Sequence, residues 1–216
     1  EALREELKAD ELSGLTPETM AHVRSSLLRL YAVEGRLDEA QALVLRYPAN
    51  PNDQDVHGMT ALHMACLAGA TEMVRFLASR GCTQVDLANM KGQSPLWSAC
   101  AKGHVEVARL LLEKGASVHL PEKVKGQTPL WAACRENRAD VVDLLLKAGA
   151  DVDAASQGGA TPLWAACVGG HEALVAALLA AGARSDLATV DRKTPLSIAR
   201  EMGHHGIVAL LTQPHG

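Results

Sequence analysis

Aromatic residues are scarce in this chain: they make up 3% of its 216 residues, with a single Phe and two Tyr. So small a supply argues against a strand-rich core and for Leu, Ala and Val packed on helices. Charge of one sign is also lacking. The formal net charge is −4, which supplies no whole-chain attraction to nucleic acid or to an anionic membrane. No apolar run approaches the roughly 20 residues needed to cross a bilayer. Short catalytic signatures are missing too: there is no G-x-x-x-x-G-K-S/T phosphate loop, no H-E-x-x-H, no C-x-x-C and no G-x-S-x-G. The carboxylates are scattered and read as solvated surface. The expectation is a chain without catalysis, metal or cofactor.

What the chain does contain is one pattern, repeated. Thr60, Ser94, Thr128, Thr161 and Thr194 each open the same motif, at steps of 34, 34, 33 and 33 residues. The copy from Gly126 to Cys134, followed by Arg135 to Ala150, shows the physics of one unit. Thr128 suits a helix N-cap, where its hydroxyl can accept from a free amide of the first turn. Pro129 follows at the first helical position, where its missing N–H costs nothing. Leu130, Ala133 and Cys134 form the buried face of a short helix, small enough to let a neighbour come close. A turn at Asn137-Arg138 leads to a second helix, on which Val141, Leu144 and Leu145 recur at helical spacing. Gly149 suits the left-handed position that ends it, and residues 151–159 form a hairpin-like loop into the next copy. Neither helix can bury its apolar face alone, so the copies must stack.

A unit of this length reading G-x-T-P-L-x-x-A-x-x-x-G-H-x-x-x-V-x-x-L-L-x-x-G-A resembles the ankyrin repeat. Five copies match, from about Val56 to Leu211. The resemblance implies an all-α solenoid of about six stacked helix-turn-helix repeats joined by hairpin-like loops. The expected layout is a helical extension over 1–15, a degenerate capping repeat over 16–52, and repeats over 53–86, 87–120, 121–153 and 154–186. A capping repeat over 187–213 closes the array.

The ends are the least regular parts. Residues 1–13 are charged and helix-prone, with Leu3 and Leu7 one turn apart, and Gly14 breaks them from a new helix start at Thr16-Pro17-Glu18. In the first repeat Arg24, Ser25 and Arg29 replace typical repeat residues, which reads as the polar outer face of a cap. The chain opens at Glu1 without Met, so it reads as part of a longer protein whose targeting stays open.

Four of the five cysteines, Cys66, Cys100, Cys134 and Cys167, occupy one position in successive repeats. Stacked helices lie roughly 8–10 Å apart, too far for the 4.4–6.8 Å or so between disulfide Cα atoms. They read as small core residues, and reduced thiols point to an intracellular protein, cytoplasmic or nuclear. Of the nine histidines, His104, His171 and His204 stand in the repeat's Gly-His turn and His63 at its usual histidine position. The resemblance makes both positions structural.

The resemblance also implies that recognition uses the loop tips and the exposed side of each first helix. In this sequence the candidates are Met90, Lys91, Gln93, Trp97 and Lys102, then Val124, Lys125, Gln127, Trp131 and Arg135, then Gln157 and Trp164. Lys91, Lys102, Lys125 and Arg135 cluster in the third and fourth repeats: a basic patch for an acidic peptide or C-terminal carboxylate, or simply solubilising tips. Trp97, Trp131 and Trp164 stand where ankyrin repeats usually carry histidine, and form a row that is either a hot spot or packing between repeats. The expected function is a monomeric protein-binding scaffold with a concave surface for a protein or peptide, and with neither nucleic acid nor membrane as partner. Two alternatives stay open. Aromatics followed by cysteine resemble the ankyrin portions of the SOCS-box family, substrate receptors of cullin ubiquitin ligases, although no SOCS box is present in these residues. The chain could also be a regulatory part of a larger enzyme.

Overall fold

Each module begins with a hydroxyl. In the computed structural model, which describes residues 16–47, 49–81 and 83–213, the side chains of Thr16, Thr60, Ser94, Thr128, Thr161 and Thr194 each accept from the backbone N–H three residues on. Five of these caps are followed by proline at the first helical position. The exception, Thr60-Ala61, adds a reciprocal bond from its own backbone N–H to the side chain of His63.

Among the described residues twelve helices come in pairs: α1 (Pro17–Glu34) with α2 (Leu37–Leu45), α3 (Ala61–Ala68) with α4 (Thr71–Ala78), and α5 (Pro95–Lys102) with α6 (Val105–Glu113). The series continues with α7 (Pro129–Arg135) and α8 (Ala139–Lys147), α9 (Pro162–Gly169) and α10 (Glu172–Ala180), and α11 (Pro195–Glu201) and α12 (His205–Thr212). No strand occurs among the described residues. The odd-numbered helices pack on one another in chain order and the even-numbered helices form a second layer in the same order. The all-α solenoid of about six repeats expected above is therefore what the chain forms.

One core runs the length of the stack. Leu28, Leu62, Leu96, Leu130 and Leu163, one in each of the first five repeats, are fully enclosed, and so are Leu43, Leu77, Leu111, Leu145 and Leu178 on the second helices. Cys66, Cys100, Cys134 and Cys167 are buried free thiols within it. Burial pushes the first three far above the usual thiol range and Cys167 to about 12, so none is a ready nucleophile. Cys82 lies outside the described residues.

The turn between paired helices needs a left-handed residue, supplied by Gly69, Gly103, Gly170 and Gly203 and, in the fourth repeat, by Asn137 at φ 55°. The next residue reaches back across the stack. His104 Nε2 meets the Leu67 carbonyl at 3.2 Å, His171 Nε2 the Arg135 carbonyl at 3.0 Å and His204 Nε2 the Val168 carbonyl at 3.4 Å. In the fourth repeat Arg138 Nε does the same work, donating to the Ala101 carbonyl at 3.2 Å. Each bond satisfies a carbonyl left open at the end of the preceding repeat's first helix. These histidines are structural.

The first repeat corrects one expectation. Ser25 and Arg29 do not form an outer face: both are buried against the second repeat. Ser25 Oγ accepts from Asn50 N at 3.2 Å, and Arg29 Nη1 donates to Asp53 Oδ2 at 2.8 Å and to the Asp53 carbonyl at 3.1 Å. Residues 25, 28, 29 and 32 share one side of a helix, so Ser25 and Arg29 must accompany Leu28 and Ala32 inward. The exposed residues of α1 include Leu30 and Val33 instead. The expected extension over 1–15 lies outside the described residues.

Candidate functional site

Five hairpin loops precede the last five first helices, and four of them are closed by a short polar side chain bonded to its own loop. Asp55 accepts from His57 N and Met59 N, Asn89 from Lys91 N and Gln93 N, Ser156 from Ala160 N and Thr189 from Lys193 N. The backbone bonds that close these four loops span four residues: Asp55 N to Met59 O, Asn89 N to Gln93 O, Ser156 N to Ala160 O and Thr189 N to Lys193 O. The loop leading into the fourth repeat is one residue longer, closing from Glu122 N to Gln127 O. There a longer side chain does the closing. Glu122 is only 4% exposed, and its carboxylate accepts from Val124 N at 2.7 Å, Lys125 N at 2.6 Å and Gln127 N at 3.2 Å. Neighbouring tips are tied by one backbone bond each: Met90 N to His57 O, Lys123 N to Lys91 O, Gln157 N to Lys125 O and Val190 N to Gly158 O. Gly92 is required here, since a Cβ on it would meet Lys123.

Between these tips and the first helices lie two open cavities. The larger, about 540 Å³, separates the fourth and fifth repeats. Val124, Lys125 and Gln127 line it from one hairpin and Gln157 from the next; Trp131 and Arg135 on α7 and Trp164 on α9 complete the wall. The smaller, about 460 Å³, separates the second and third repeats, where Met90, Lys91, Gln93, Trp97 and Lys102 meet Met59 and Leu67. All twelve residues singled out in the sequence thus line one cavity or the other. The four cations do not form one cluster: Lys91 and Lys102 face one cavity, Lys125 and Arg135 the other.

The three tryptophans are not equivalent. Trp97 is half-buried and its Nε1 donates to the Gln127 carbonyl at 3.1 Å. Trp131 is 5% exposed, with the Arg135 guanidinium 5.9 Å from its ring centroid. Its Nε1, like that of Trp164, is buried with no hydrogen-bond acceptor. The rings fill space between repeats and also wall the cavities. Sequence reasoning missed Glu122. Its signal was the missing Asp, Asn, Ser or Thr five residues before Thr128, where Lys123 stands instead.

A family model described as ankyrin repeats (3 copies) matches residues 28–122, 84–156 and 153–216. The chain belongs to the ankyrin-repeat family. A search of curated proteins returned no match. Ankyrin repeats are protein–protein interaction modules of a fold that is typically non-enzymatic. No helix among the described residues is long and apolar enough to cross a membrane. The side chains of Met90, Lys91, Lys102, Val124, Lys125 and Arg135 stand out into these two cavities beside the leucines, thiols and turn residues that pack the stack.

Proposed function

We propose that the hairpin-and-first-helix side of the stack is a scaffold surface that binds a segment of a partner protein. The observation that carries the reading is the pair of cavities, each walled by tryptophan and rimmed by mobile-length polar side chains from two successive repeats. Aromatic walls with a polar rim are the anatomy of protein interfaces. Because tips and helices are tied by hydrogen bonds before any partner arrives, little ordering cost remains at association. The buried free thiols support a reducing compartment, cytoplasmic or nuclear.

Selection from an unbiased peptide library tests this. Binders should be lost on a chain carrying Met90→Asp and Gln157→Asp, and kept on one carrying Glu106→Lys and Asp143→Lys on the second-helix layer. Binders indifferent to the first pair would contradict the reading.

A further inference from the structure

The end of the stack at the first repeat is apolar. Ser25, Leu28, Arg29 and Ala32 turn one side of α1 toward the second repeat, and at about 100° per residue Met20, Val23, Leu27 and Leu30 share the opposite side. Their spacing is that of a seam made to pack against another helix. Among the described residues α1 packs mainly on α2 and α3. Leu27 reaches the core from the edge of the stripe, Met20 and Val23 are half-buried, and Leu30 is 48% exposed.

A terminal repeat needs a polar outer face to stay soluble. The last repeat has one. Opposite the buried Pro195, Ile198 and Ala199 of α11 stand Ser197, Arg200 and Glu201, all exposed, with Glu201 paired to Lys193 at 2.6 Å. The first repeat carries a hydrophobic seam in the corresponding place, so that seam is built to be covered.

The sequence before α1 names the cover. Leu15 precedes the Thr16 cap and Met20 is the fourth residue of the helix, the pairing of a hydrophobic staple. A staple fixes the angle at which the chain enters, and because Met20 belongs to the stripe the chain arrives on the stripe's side. Gly14 supplies the break, and helices joined by so short a connection are antiparallel neighbours. With residues 14–16 as the turn, positions 13 and 17 lie level, and so do 7 with 23 and 3 with 27. Leu3 and Leu7 are four residues apart, as are Val23 and Leu27. As a helix, residues 1–13 would span about 20 Å, against about 15 Å from Met20 to Leu30. A second copy fits less well, since a stripe on one helix falls far short of the roughly 20–30 residues a side of a stable dimer.

We propose that residues 1–13, which lie outside the described residues, dock as an antiparallel helix on Met20, Val23, Leu27 and Leu30 and complete the cap of the solenoid. Leu7 meets Val23 and Leu3 meets Leu27. No residue of the stripe lines either cavity, so the proposal is independent of the partner surface.

Hydrogen exchange on the full chain tests this. A free helix of this length is marginal in water, so protection of the amides of residues 5–13 reports docking. They should exchange about tenfold slower than in a synthetic peptide of residues 1–13. Val23→Lys/Leu30→Lys on the stripe and Leu3→Lys/Leu7→Lys on the segment should each restore the peptide rate. Lysine keeps the helix propensity of leucine, so lost protection means lost docking. Unchanged protection in α5–α12 verifies that each variant folds; should the stripe variant unfold, the segment variant carries the test. Leu7→Ala and Val23→Ala should each lower the protection, and together by less than the product of their separate effects. Peptide-like exchange in the unsubstituted chain overturns the proposal. So does protection that survives Val23→Lys/Leu30→Lys, which would seat the segment elsewhere. Protection that fades on dilution also overturns it, because a second copy then supplies the cover. Independent effects of Leu7→Ala and Val23→Ala overturn the pairing.

Discussion

Trp97 Nε1 donates to the Gln127 carbonyl at 3.1 Å, and one repeat earlier His63 Nε2 makes the equivalent bond to the Gln93 carbonyl at 3.0 Å. Two different rings thus link a first helix to the residue before the next N-cap. The same ring nitrogen in Trp131 and Trp164 is buried without an acceptor. The substitution of Phe should therefore act in opposite senses. Trp97→Phe should cost about 0.5–1.5 kcal/mol for a lost bond, with the Gln127 carbonyl left open. Trp131→Phe should be neutral or mildly stabilising, because it removes a buried donor that has no bond to lose. Urea unfolding of the two variants decides.

The neutral His63 ring is held in one tautomer. Nε2 carries the proton toward Gln93, leaving Nδ1 to accept from Thr60 Oγ1 at 3.0 Å and Thr60 N at 3.4 Å. Burial drives its pKa below 6.5, against smaller raising contributions from the Gln93 bond and Asp55. Between the lowered value and about 6.5 the unfolded chain binds the extra proton and the folded chain does not. Stability should fall as pH drops through that window and level off below it. His63→Gln should flatten the slope, as measured by unfolding midpoints between about pH 7 and pH 5.

Arg29 and Asp53 make a partly buried ion pair between the first two repeats, with side chains 8% and 28% exposed. Removing only the acid leaves the guanidinium with the backbone carbonyl of residue 53 and Ser26 Oγ but no counter-charge. Asp53→Ala should cost about 3–5 kcal/mol, more than Arg29→Met/Asp53→Ala together, when the variants are compared by chemical denaturation.

Glu122 closes the long hairpin with two oxygens that accept from three N–H groups. Glu122→Gln turns one oxygen into a donor facing a backbone donor, and should cost about 1–3 kcal/mol. Hydrogen exchange should localise the loss to the Val124, Lys125 and Gln127 amides and spare the Asn89 hairpin.

Most of this fold was legible because its determinants are local. Thr128, Pro129 and Gly149 each state their backbone role within a few residues, and the leucine spacing does the rest. Arg29 was misread because its identity looked like surface while its position, next to Leu28 and one turn from Ser25 and Ala32, placed it inside. Its partner Asp53 is 24 residues away, where no local rule reaches. The candidate site residues were legible as positions, since all twelve line the cavities. How the cations divide was not legible, because that depends on which two repeats enclose each space. The Trp97 and Trp131 rings were indistinguishable in sequence, and differ in burial and in whether a carbonyl falls within reach.

All three tryptophans of the chain line the two cavities, so intrinsic fluorescence reports on this face and no other. Titration with a bound peptide, read by tryptophan emission and acrylamide quenching, is the most direct measurement. Saturable protection of the indoles, lost with Met90→Asp/Gln157→Asp, is the predicted result. Binding that leaves emission and quenching unchanged would place the partner elsewhere and contradict the account.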